Sequence, residues 1–141
     1  MTLGELIIED RGKIAGQRVL NVDDGPTIES SFSMEGKYKG IIGTDIGTYW
    51  SLLRPGGVMY GEGHGIVKSK ENGQTEMATW TGQGIGRFSG PGRISFRGSL
   101  FFQTPLINEV AKLSFLNNLV GVFEYEVDEI GNCSSMVWEW K

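Results

Sequence analysis

The chain has 141 residues, of which 22 are glycine and 4 proline, with 11% aromatics and a net charge of −4 at neutral pH. That balance excludes a helical bundle and a disordered segment and points to a turn-rich β protein. The lack of a basic cluster argues against nucleic acid or an anionic membrane as a partner, and no apolar run of about 18 residues is present to insert into one. The length suits a single domain over residues 1–141, and the early charges give no signal-peptide pattern. Cys133 is the only cysteine, so no internal disulfide forms and a reducing, cytoplasmic location is the expectation.

Residues 4–10 and 13–22 alternate apolar and polar side chains and read as a short strand and a longer one, broken at Arg11-Gly12. Asp23-Asp24-Gly25-Pro26 is a turn. Thr27 to Met34 forms a half-buried strand with Ile28, Ser30, Phe32 and Met34 on one face, and Glu35-Gly36 allows a bend before the long stretch from Lys37 to Leu53. Arg54-Pro55-Gly56-Gly57 is a tight turn. Pairing Leu53 with Val58 across it puts Ile46, Thr48, Trp50 and Leu52 on one face and Asp45 and Tyr49 on the other.

Residues 58–103 organise the rest. Glycine takes every second position at Gly61, Gly63 and Gly65 and again at Gly82, Gly84 and Gly86, which leaves one face of each strand nearly bare. Asn72-Gly73 signals a type I′ turn between these strands. The resulting register sets Gly63 opposite Gly82 and Gly61 opposite Gly84, with all six glycines on one face. A one-residue slip would destroy that coincidence. A three-residue tip at Gly90-Pro91-Gly92 brings Ile94, Phe96, Gly98, Leu100 and Phe102 to the same face, joined by Ala78, Trp80 and Phe88. Large rings beside bare glycines cover exposed backbone, and Trp50 and Trp80 are placed to do so.

Over 104–118, Asn108 could open a helical turn, but Lys112-Leu113-Ser114-Phe115 echoes Arg93-Ile94-Ser95-Phe96 and reads as a strand. Leu119 to Val127 alternates with Phe123 and Tyr125 on one side. After a turn at Gly131-Asn132, Met136, Trp138 and Trp140 share a face of the last strand. About eight strands joined by tight turns suit either a two-sheet sandwich or a closed antiparallel up-and-down β-barrel. The barrel is favoured, since closure removes edges and inner glycines let strands coil.

Phe32-Ser33-Met34-Glu35-Gly36-Lys37-Tyr38-Lys39-Gly40, followed by Gly84-Ile85-Gly86-Arg87-Phe88-Ser89-Gly90-Pro91-Gly92, resembles the pattern of the allene oxide cyclase barrel-like superfamily. The last glycine stands one place early against that pattern, and no catalytic residue of the cyclases finds a counterpart. The resemblance covers roughly a third of the chain and bears on fold more than function. It implies a calycin-like, eight-stranded barrel with an apolar cavity, often assembled as dimers or trimers, whose members of known activity handle hydrophobic small molecules. It also implies that Phe88, and with it the glycine and tryptophan face, points inward.

On that orientation Tyr60, Glu62, His64, Gln83, Arg87 and Arg97 form the solvated outside. Tyr49, Ile66, Ile85 and Phe101 on the same face are too apolar for plain solvent and would suit an oligomer interface. An inverted barrel would instead enclose Glu62 and His64 as an acid/base pair, with Arg97 to bind an anion. The apolar face, with Trp50, Trp80, Phe88, Phe96, Phe102, Phe123, Tyr125, Trp138 and Trp140, either fills the barrel or lines a pocket. The glycine run opens no helix, so it is neither a dinucleotide fingerprint nor a kinase loop. A lone histidine and a lone cysteine far apart make no zinc site, no Gly-x-Ser-x-Gly elbow accompanies the serines, and Cys133 reads as an incidental thiol. The expectation is a barrel without cofactor or metal that binds a hydrophobic small molecule and shapes it as a cyclase or isomerase would. The rival is a homo-oligomeric interaction protein with a filled barrel.

Overall fold

Period-two alternation runs through most of the chain, and it is realised as a closed barrel of eight antiparallel strands in sequence order. A computed structural model describes residues 2–71, 76–105 and 111–141. The strands are β1 (Leu3–Asn21), β2 (Thr27–Tyr38), β3 (Ile41–Leu53), β4 (Met59–Ser69), β5 (Met77–Gly90), β6 (Arg93–Gln103), β7 (Val120–Val127) and β8 (Asn132–Trp140). Each pairs with its neighbours in the chain, and β8 returns to β1 through Leu3↔Trp140 to Lys13↔Asn132.

Two expected interruptions are absent. β1 runs unbroken through Arg11-Gly12 and β2 through Glu35-Gly36, because these glycines are points of close approach. A Cβ at Gly12 would strike the backbone of Ser33 and Met34, and one at Gly36 the backbone of Glu9 and Asp10. The chain reverses instead at Lys39 (φ 52°) and Gly40 (φ 84°), the left-handed pair that a tight hairpin requires.

The β4–β5 register is as the glycines dictate, with Gly61↔Gly84 and Gly63↔Gly82. The Asn72-Gly73 turn itself lies outside the described residues. Between β5 and β6 the ladder passes from Phe88↔Ile94 to Gly90↔Arg93, so Ser89 is an extra, bulged residue and the tip has two residues, with Gly92 at φ 68°.

The β3–β4 connection is one residue longer than expected. Arg54 N donates to Val58 O (2.7 Å), Gly56 and Gly57 take positive φ, and Leu53 pairs with Met59 rather than Val58. That slip turns over the whole of β3. Gly43, Asp45, Gly47 and Tyr49 face inward, while Ile46, Thr48, Trp50 and Leu52 face outward. Trp50 is therefore not in the barrel. Nor is Trp138: Phe123↔Val137 pairing aims Cys133, Ser135 and Val137 inward and puts Met136, Trp138 and Trp140 outside. Phe88 has inward parity but sits beyond the packed interior, 60% exposed.

Lys112–Leu116 is a 3-10 helix, not the expected strand. Its three-residue repeat aligns Leu113 and Leu116 on one side, both fully buried in the core cluster; strand alternation would have pointed them apart. Asn108 falls outside the described residues.

The glycine face is the inside, and the glycines seat rings. A Cβ at Gly65 or Gly47 would overlap the Trp80 indole, and one at Gly86 the Phe96 ring. Other glycines let strands touch: at Gly98 a Cβ would meet the backbone of Gln83 and Gly84, whereas at Gly16 it would meet nothing within 4 Å. In chemical denaturation Gly98→Ala should accordingly lose at least about 2 kcal/mol. Gly16→Ala should stay within about 0.5 kcal/mol or gain slightly. Equal effects at the two positions would remove the close-approach account.

Candidate functional site

Five rings contributed by five strands meet inside the barrel. Phe32 stacks on Trp80 (centroids 6.2 Å, planes 13° apart), and Tyr125 lies 6.0 Å from Phe32 and 6.1 Å from Phe96. Tyr49 meets Tyr125 edge-on at 5.5 Å with their hydroxyls 3.1 Å apart. Offset and edge-on arrangements of this kind add stabilisation beyond the area they bury. The rings do not close completely. They leave a cavity of about 80 Å³ lined by Phe32, Asp45, Tyr49, Trp80, Phe96, Leu100, Phe102, Phe123, Tyr125 and Ser135, with the bare backbone of Gly61, Gly63, Gly82 and Gly84 as one wall.

Two acids, Asp10 and Asp45, are among the buried polar groups of this interior. Asp10 (4% exposed) accepts hydrogen bonds from Tyr38 Oη at 2.8 Å and from Ser135 Oγ. Asp45 (8% exposed) accepts one from Trp80 Nε1 at 2.9 Å. Burial disfavours the charged form and pushes both carboxyls up, Asp45 to about 8, with the charge of Asp10 adding to the rise and the Trp80 bond opposing it. Burial likewise raises the Tyr38, Tyr49 and Tyr125 hydroxyls, which stay protonated donors. Such a site can hold a proton, present it or accept one within an aromatic enclosure.

Reading the sequence missed both acids. Asp10 shares its face with Ile8, Gly12 and Ile14, an acid in an otherwise apolar row. Asp45 lies between Gly43 and Gly47, and applying to β3 the same-face glycine criterion that set β4 and β5 would have turned it inward.

Of the residues singled out on the polar face, Tyr49 lines the cavity instead of an outer interface, while Glu62, His64 and Arg97 lie outside the barrel. Glu62 and His64 are exposed neighbours on β4, bordering an outer groove of about 360 Å³ with Thr48, Trp50, Thr81 and Phe101. Glu62 takes its hydrogen bond from Tyr60 Oη, not from His64. Arg97 is elsewhere on the surface, 3.3 Å from Glu124. An exposed pair of this kind contributes about 0–1 kcal/mol. Of the apolar residues expected to line a pocket, Trp80, Phe96, Phe102 and Tyr125 do line the cavity. Cys133 is buried, and burial pushes its thiol up, which makes it a poor nucleophile. Among the described residues no three His, Cys, Asp or Glu side chains are grouped to hold a metal, and no helix is long and apolar enough to cross a membrane.

Two measurements follow from these placements. His64→Ala should shift stability by no more than about 0.5 kcal/mol, as expected of an exposed side chain; a larger loss in urea denaturation would contradict its position. Asp45 holds in the fold a proton that the unfolded chain releases at the ordinary 3.8. Its contribution is therefore fully present below pH 3.8 and is lost as pH rises toward about 8. Asn keeps the acceptor for Trp80 without the charge, so Asp45→Asn should be the more stable protein at the alkaline end by about 2 kcal/mol or more. Parallel pH profiles for the two proteins would show that Asp45 ionises normally.

No family model matches the chain, and no functionally curated protein matches it. Among solved structures it is similar to a protein of unknown function from Clostridium acetobutylicum ATCC 824, at 14% identity and a TM-score of 0.79 with 100% of each chain covered. It is also similar to a conserved protein of unknown function from Rhodopseudomonas palustris, at 15% identity and a TM-score of 0.73 with 99% of each chain covered. At such identities the likeness is one of fold: the chain shares its barrel with uncharacterised bacterial proteins.

Proposed function

We propose that the barrel is a container for a small, mainly apolar molecule held among Trp80, Phe96, Phe102 and Tyr125. The observation that carries this reading is the aromatic cavity of about 80 Å³ with a buried acid on its wall. An engineered apolar cavity of about 150 Å³ accommodates benzene, so the occupant is smaller than benzene unless partly buried Leu100 and Phe123 move aside. The resemblance to the allene oxide cyclase barrel-like proteins supports a hydrophobic ligand, and the acid supports a proton-assisted isomerisation or cyclisation of it.

Native mass spectrometry of the protein purified from its own host tests the reading. The expected result is a bound molecule that Leu100→Phe, which adds volume to the cavity wall, displaces while the barrel stays folded. A ligand retained by that variant would lie elsewhere, and a ligand-free barrel would favour the second reading. That reading is a homo-oligomeric interaction protein, and it is favoured by the cross-strand neighbours Ile46 and Ile66, 54% and 40% exposed, on the outer face. The same spectrum reports the oligomer.

A further inference from the structure

We propose that Asp45 meets the occupant of the cavity as a hydrogen-bond donor, so that the barrel takes a small, mainly apolar molecule presenting an uncharged acceptor oxygen, such as a carbonyl, and not an amine. This deepens the container reading and rests on it.

The geometry of the two oxygens is the starting point. An indole N–H donates and cannot accept, so Asp45 Oδ1, 2.9 Å from Trp80 Nε1, is committed as an acceptor. Oδ2 has no hydrogen-bond partner among the described residues, and Asp45, 8% exposed, lines the cavity. A proton on this carboxyl therefore belongs on Oδ2, where it is available to the occupant.

The charges around the carboxyl call for that proton. β1 contributes Asp10, β2 Tyr38, β3 Tyr49, β7 Tyr125 and β8 Cys133, all acids or weak acids. β4, β5 and β6 present Val67, Trp80 and Phe102, and Glu62 of β4 turns its carboxylate outward to Tyr60. Among the residues lining the cavity there is no lysine, arginine or histidine. An anion here would be buried beside a second carboxylate without a counter-charge, an arrangement that proteins avoid by neutralisation. The two acids also differ in their partners. Asp10 has both oxygens accepting, from Tyr38 and Ser135, which favours its ionised form. Asp45, with one such bond, is the member that keeps the proton. The upward displacement of its ionisation to about 8 agrees with this assignment.

The test uses three probes of nearly one shape: acetone, isobutylene, in which a methylene replaces the carbonyl oxygen, and isopropylamine, an ammonium near neutral pH. Binding is followed by the indole N–H resonance of Trp80, about two pH units below and above the value of about 8 at which Asp45 ionises. Acetone should bind about fivefold more tightly at the lower pH, the effect of one neutral hydrogen bond, while isobutylene stays the same. In Asp45→Asn, whose amide donates at every pH, acetone affinity should persist and lose its pH dependence. Acetone affinity unchanged between the two pH values in the wild-type protein, or isopropylamine binding more tightly than acetone at the lower pH, would overturn the donor assignment while leaving the container intact. If none of the three probes moves the Trp80 resonance of the folded protein, the container reading itself falls, and this inference with it.

Discussion

Rings inside this barrel take the space that glycines leave. Trp80 lies against Gly47 and Gly65, Phe96 against Gly61 and Gly86, Leu100 against Gly82 and Val137 against Gly121. An eight-stranded barrel is only wide enough for its interior to be filled by side chains or to hold one small ligand. Large aromatic residues enter such a space when the opposite wall has no side chains of its own. Filling and hollowing are thus not alternatives here. The same glycines that admit the rings leave the thin wall at Gly61, Gly63, Gly82 and Gly84 that borders the remaining cavity.

The chemistry of the interior hangs from that packing. Gly47 and Gly65 fix where the Trp80 indole lies, and the indole N–H fixes one oxygen of Asp45. A side chain at either glycine would push the ring away and leave a buried carboxyl without its donor, so packing and protonation are coupled through a single hydrogen bond. The Tyr49–Tyr125 hydroxyl contact and the Tyr38 and Ser135 bonds to Asp10 hold these five polar side chains of the interior in the same way. Each is satisfied by a neighbour on another strand, which is the condition under which polar groups are tolerated in a core.

Much of the fold is written in alternation and glycine position. Gly61 to Gly86 set one hairpin in register without any knowledge of its neighbours, and Ser30, Phe32 and Met34 face the core as their period requires. Turn length was the weak point. Arg54 to Gly57 looks like a tight turn from its residues, but Val58 belongs to the loop, and a pleated strand converts one residue of error into a reversal of both faces. The candidate site was hidden by that reversal, since it carried Asp45 and Tyr49 outward and Trp50 inward. Lys112 to Leu116 failed for a different reason: a short apolar run with a chance likeness to β6 has no intrinsic preference strong enough to resist packing into the core as a 3-10 turn.

The two ends of the chain lie side by side. Lys141 N donates to Thr2 O at 2.9 Å, and Leu3 pairs with Trp140. Seven of the ladders join strands that follow one another in the chain, and only the eighth, between β1 and β8, joins its extremes. The polypeptide is in effect a ring with one nick. The entropy of closing that ring grows only with the logarithm of its length, about 0.6 kcal/mol for each doubling, so the finished barrel is nearly indifferent to where the nick falls. Folding is not, because the β1–β8 contact spans the greatest separation and waits on the others. Relocating the ends to a hairpin tip would keep the folded ring and change which seam closes last.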